Sequence, residues 1–159
     1  MVIHSYGKLT FSADDTYEYR IWNRHIFNPE NYGFILSQHR SRTDSFFCFY
    51  TVLNDQLYLR HLIIDSENYP TLNNVVAKES FLIYQYDWID LDIGAQCGYF
   101  NLNLKLDFTG TIDVSDELSV EPKYELFFKN GIFQKKKKHK INLYPLNLNN
   151  LKNFLIRQL

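Results

Sequence analysis

The sequence predicts an all-β fold, mostly antiparallel, with about nine or ten strands in a barrel or a two-sheet sandwich and a C-terminal α-helix. Three observations predict it. Short segments alternate apolar and polar residues with the period of two that a strand imposes. Turn residues punctuate these segments at short intervals. Aromatics make up 17% of the chain, against 6 Gly and 4 Pro, and Tyr and Phe favour strands. The 159 residues read as a single β-rich domain spanning 1–159, with no repeat of fixed period and no linker, and this length supports a sizeable core.

Taken in order, residues 2–6 and 9–12 read as a short hairpin about Gly7-Lys8, and residues 13–15 as a turn. Residues 16–22 alternate, with Tyr17, Tyr19 and Ile21 on one face and Glu18, Arg20 and Trp22 on the other. Asn28-Pro29-Glu30-Asn31 is a loop by turn chemistry, and residues 33–39 resume as a strand. The chain is organised around residues 46–64, two apolar runs separated by Asn54-Asp55, residues that tolerate the left-handed backbone of a tight hairpin. That turn sets Val52 opposite Leu57, Tyr50 opposite Leu59, Cys48 opposite His61 and Phe46 opposite Ile63. One side of the ribbon is almost wholly apolar and the other is mixed, so the ribbon belongs inside a larger sheet with much of its second face covered.

Residues 65–74 form a long connection. Residues 81–93 have strand composition, with Trp88, Asp90 and Asp92 on one face and Ile89, Leu91 and Ile93 on the other; a turn follows at 94–98. Phe100, Leu102, Leu104, Leu106 and Phe108 then share a face, and Ile112 and Val114 keep the parity, which predicts one long strand bent at Gly110. Residues 113–122 are acidic and loop-like. Residues 124–129 and 132–137 flank Asn130-Gly131, the strongest hairpin signal, with Phe128 facing Phe133, Glu125 facing Lys136, and 138–143 extending the strand. After Pro145, Leu148, Leu151, Phe154, Leu155 and Leu159 fit one helical stripe that Asn147 can cap. The helix is expected to plug an open end or cover a sheet face.

The formal net charge of −1 gives no global field for nucleic acid or an anionic membrane. No apolar window approaches the ~18 residues of a membrane span, and the N-terminus has no leader pattern. A cytoplasmic location follows as an expectation. Two cysteines are too few for a disulfide scaffold. Cys48 facing His61 has the makings of a nucleophile and base, but a mid-strand apolar position makes both core residues. The five histidines are scattered without ligand spacing, so no metal site and no cofactor is expected. No catalytic signature is present, and no enzymatic activity is expected. Lys135, Lys136, Lys137, Lys138 and Lys140 are the one basic run. With Phe127, Phe128 and Phe133 nearby, they are the candidate contact for single-stranded nucleic acid. On a strand alternate lysines diverge, and the plainer role is to guard an edge from pairing with another chain.

Residues 48–59, residues 104–113 with Phe108-Thr109-Gly110, and Tyr124-Glu125-Leu126-Phe127-Phe128-Lys129-Asn130-Gly131 together resemble small, uncharacterised β-rich bacterial proteins of the immunity type. The resemblance covers about half the chain and rests on structural motifs. It implies a non-enzymatic module whose partner is another protein, such as a basic toxin domain, and it transfers no active residue. The high tyrosine count, 12 residues, fits a binding surface. Acidic residues grouped with an aromatic suit a cationic partner, which singles out Asp87, Trp88, Asp90 and Asp92, then Asp116, Glu117 and Glu121. A small-molecule-binding β-barrel is the alternative, and nucleic-acid binding through residues 135–140 the next.

Overall fold

The computed structural model describes residues 6–14, 16–36, 45–79 and 97–140. Among these it has ten strands: β1 (Gly7–Thr10), β2 (Tyr19–Ile21), β3 (Phe46–Leu53), β4 (Gln56–Ile64), β5 (Lys78–Glu79), β6 (Cys97–Tyr99), β7 (Leu104–Lys105), β8 (Gly110–Ser115), β9 (Tyr124–Lys129) and β10 (Ile132–Lys138). The only helical turn among the described residues is a 3₁₀ turn, Pro29–Tyr32, capped by the Asn28 side chain. The expected C-terminal helix, and the expected strand at 81–93, lie outside the described residues.

Seven strands close into a barrel in the order β10-β9-β8-β2-β1-β3-β4, with β4 returning to β10; β5, β6 and β7 continue along the free side of β4. The choice between barrel and sandwich is thus settled for the barrel. Every pairing is antiparallel except β1 with β3. Closure rests on Ile132 opposite Gln56, flanked by the amides of Leu57 and Phe133 donating to the carbonyls of Gly131 and Asp55. The tips of the two main hairpins therefore meet, the Asn54-Asp55 turn beside the Asn130-Gly131 turn. All four turn residues have positive φ (48°, 64°, 49° and 76°), the geometry that matches the twist of paired strands. Beyond Phe133, β10 pairs only with β9 among the described residues, and Lys135, Lys136, Lys137 and Lys138 lie exposed along it.

Strand parity and closure fix which side is inside. Leu9, Ile21, Cys48, Tyr50, Val52, Leu57, Leu59, Leu62, Ile64, Ile112, Val114, Leu126 and Phe128 form one buried cluster, none more than 3% exposed. Residues from six of the seven barrel strands, with the partly buried Phe133 of β10 packed against them, can meet only in the interior of the closed sheet. Tyr99 of β6 joins them, as do Phe27, Phe34, Leu72, Leu102 and Leu106 from the connecting segments. The outward side of β1 and β3 is also covered: Lys8, Thr10, Phe47, Phe49 and Thr51 are buried. This agrees with the expectation that both faces of the central ribbon are occupied.

Several expectations are corrected. Gly7 and Lys8 are not a turn but the start of β1, where Gly7, with φ 156°, lies against the Cys48 carbonyl. The predicted strand at 16–22 contributes only Tyr19–Ile21, and Leu36 makes a single bridge to Ser66. The long strand from Phe100 is interrupted: Asn101 and Asn103 have positive φ (54° and 46°). Residues 97–106 instead follow the β4 edge in two pieces, with Leu104 and Phe100 only half-buried. Two bulges alter the predicted registers. Val52 faces Leu57 and Tyr50 faces Leu59 as expected, but an extra residue in β4 then places Cys48 opposite Leu62 and Phe46 opposite Ile64. His61 is set opposite Phe49 on the outward side. In β10 a bulge between Phe133 and Lys135 sets Glu125 opposite Lys137, not Lys136. One inserted residue inverts every face beyond it, because the side-chain period is two.

Candidate functional site

The acidic segment between β8 and β9 emerges as a structured projection. The Trp22 indole donates to Ser115 Oγ (2.6 Å), and that hydroxyl donates to the Asp116 carbonyl (2.9 Å). Lys8 Nζ donates to Glu117 Oε1, and Lys123 Nζ lies 3.0 Å from Asp116 Oδ2. Within the loop the Ser119 amide donates to the Asp116 carbonyl (3.2 Å) and the Ser119 hydroxyl to the Glu121 carbonyl (2.9 Å). Burial lowers the Lys8 pKa, and the Glu117 carboxylate works against that shift. The outcome is a braced loop with two apolar residues in water: Leu118 is 97% exposed and Val120 63%. Asp116, Glu117 and Glu121 flank them in sequence, all exposed.

Of the sequence-predicted partner residues, Asp116, Glu117 and Glu121 lie exposed on the β8–β9 loop, Glu117 paired with Lys8 and Asp116 with Lys123. Asp87, Trp88, Asp90 and Asp92 lie outside the described residues. Leu118 and Val120 were missed. The available signal was the interleaving of apolar and acidic residues in a segment with no strand pattern.

The lysine run does not form one patch. Lys135 and Lys137 lie over the Phe127 ring on the outward side, 5.0 and 5.4 Å from its centroid. Lys136 turns the other way, 4.9 Å from the Tyr124 ring, and donates to the Tyr19 hydroxyl (3.2 Å), which raises its pKa. Lys138 and Lys140 border an open cavity of about 460 Å³ whose other walls include Glu121, Lys123, Tyr124 and His139.

Cys48 and His61 make no dyad: Cys48 is fully buried inside the barrel, while His61 lies outward and accepts from the Asn101 amide at Nδ1 (3.0 Å). A group unforeseen from histidine spacing is Asp113, Glu125 and His139, whose donor atoms lie within 4.8 Å of one another. Each comes from a different chain segment, so no local motif could reveal it. Among the described residues no helix is long and apolar enough to cross a membrane.

Comparison with known proteins finds nothing similar. No family model, curated protein or solved structure matches the chain.

Proposed function

We propose that the chain is a non-enzymatic protein-binding module, of the immunity type, that engages a basic partner through the β8–β9 loop. The observation that carries this reading is Leu118, 97% exposed on a loop braced by Lys8–Glu117 and Lys123–Asp116 and flanked in sequence by Asp116, Glu117 and Glu121. A loop already ordered loses little entropy on binding. An apolar side chain among carboxylates suits a partner with an apolar socket and a cationic rim, the charges steering encounter and the leucine supplying burial. The interior supports a surface role over a small-molecule-binding barrel, since the described side chains of its buried cluster are no more than 8% exposed. The divergence of Lys135, Lys136 and Lys137 weighs against nucleic acid, because strand-tracking sites combine a continuous basic groove with stacking rings.

The test is photo-crosslinking in the native host from a reactive amino acid placed at position 118, with a second probe at Gln134 as control. The expected result is a basic protein captured from 118 and not from 134. Leu118→Asp should then weaken the purified complex at least tenfold while leaving thermal unfolding unchanged. Equal capture from both positions, or full affinity in Leu118→Asp, would exclude the loop.

A further inference from the structure

Asp113, Glu125 and His139 sit on the outer face of the barrel, at the end of the sheet made by β8, β9 and β10. Pairing fixes them. Asp113 is directly opposite Glu125, and the His139 amide donates to the Lys123 carbonyl (2.8 Å) just beyond the end of β10. The Asp113 backbone is held as well: its amide donates to Asn23 Oδ1 (3.0 Å), and its carbonyl accepts from the Trp22 amide (2.9 Å). His139 Nε2 lies 3.1 Å from Asp113 Oδ1 and 4.0 Å from Glu125 Oε1.

Two carboxylates directly opposite on neighbouring strands repel and weaken the pairing. The lysines best placed to neutralise them are committed elsewhere. Lys137 is opposite Glu125 in register, yet its ammonium lies over Phe127. Lys123 is paired with Asp116. That leaves a histidine nitrogen beside two carboxylate oxygens, all three side chains between 25% and 37% exposed. They are covered enough to be positioned and open enough for an ion to enter.

We propose that Asp113, Glu125 and His139 form a divalent transition-metal site, best matched to Zn²⁺. One imidazole and two carboxylates are a nitrogen–oxygen donor set that zinc accepts. Bonds of about 2.0–2.2 Å place neighbouring donors of a tetrahedral zinc roughly 3.4 Å apart, so small side-chain rotations on a fixed backbone complete the set. Three protein donors leave a fourth position for water. The ion would tie β8 to the segment after β10 across β9. It would also replace the carboxylate repulsion with attraction. The lysines around the neighbouring cavity oppose a cation, so micromolar affinity is expected.

The experiment titrates ZnCl₂ into the tag-free full chain by calorimetry and follows thermal unfolding in parallel. Cys97→Ser serves as background, because Cys97 is a half-buried thiol that could take up zinc on its own. One equivalent should bind and raise the melting temperature. His139→Ala and Glu125→Gln should each lower affinity at least tenfold, and Co²⁺ in place of Zn²⁺ should give visible absorption that His139→Ala abolishes. No binding at millimolar zinc, or binding unaltered by both substitutions, would overturn the proposal. Neither result bears on partner capture at Leu118.

Discussion

Inside the barrel, the Tyr50 hydroxyl is a polar group among apolar side chains. It accepts from the amides of Ile26 (3.3 Å) and Phe27 (3.1 Å), tying the β2–β3 connection to the core. Tyr50→Phe would strand those amides, and an unsatisfied buried donor costs about 1–3 kcal/mol. We expect a loss of that size in chemical denaturation; an unchanged midpoint would mean that water replaces the hydroxyl. Tyr99, whose hydroxyl donates to the Pro70 carbonyl (2.7 Å), has its pKa raised by burial from 10.0 to about 12. Burial raises that of Tyr50 well above 10.0 in the same way. A phenol whose folded pKa is raised stabilises fully below its unfolded value and loses that contribution as pH climbs through the folded one. Stability should therefore fall between pH 10 and about 12 on account of Tyr99, and Tyr99→Phe should fall less steeply. Lys8 acts with the opposite sign, because burial lowers its pKa: its part of the stability rises with pH up to 10.5. Residues of this kind were only half legible. Tyr50 was placed in the core by its parity, but its acceptor role depends on a loop that carries no periodic signal.

The two hairpins were the most legible elements. Turn pairs with positive φ, flanked by alternating apolar residues, defined both, and Val52–Leu57, Tyr50–Leu59 and Phe128–Phe133 are paired as the turns dictate. What failed were the stretches beyond a bulge. Nothing in Arg60 or Gln134 announces an extra residue, so His61 and Lys136 were assigned to the wrong faces. The strand from Phe100 misled differently: its alternation is real, but Asn101 and Asn103 are residues that enter the left-handed region readily. Gly131 shows how closely the two hairpin tips fit. With φ 76° it sits where a Cβ would overlap the Leu106 carbonyl oxygen and crowd Gln56 Nε2. Gly131→Ala should cost about 1–3 kcal/mol in backbone strain, with the overlap adding to it. Hydrogen exchange should accelerate first at the amides of Leu57 and Phe133, which bridge β4 and β10. Uniform acceleration across the barrel instead would mean that the closure is not a separate unit.

At the scale of the molecule, the all-β class was readable and the closure was not. Local alternation reports that a segment is a strand, not which distant strand it meets, and the pairings that seal the barrel join Gly7 to Cys48, Arg20 to Ser115 and Gln56 to Ile132. The candidate metal group was hidden for the same reason, since Asp113, Glu125 and His139 meet only through strand order. Closure has a further consequence for how copies of the chain behave toward one another in solution. Among the described residues, sealing the sheet leaves the lysine-bearing rim of β10 beyond Phe133 unpaired on one side, a template for a second molecule. Four like charges hold that second molecule off, and salt shortens the reach of charge to about 3 Å at 1 M. The propensity to self-associate should therefore be set by ionic strength. Sedimentation should find monomers in dilute buffer and paired molecules near molar NaCl, with Lys135→Thr and Lys137→Thr together moving the transition to lower salt. Association strongest in dilute buffer would mean that the lysines attract a surface elsewhere on the molecule rather than keep this rim apart.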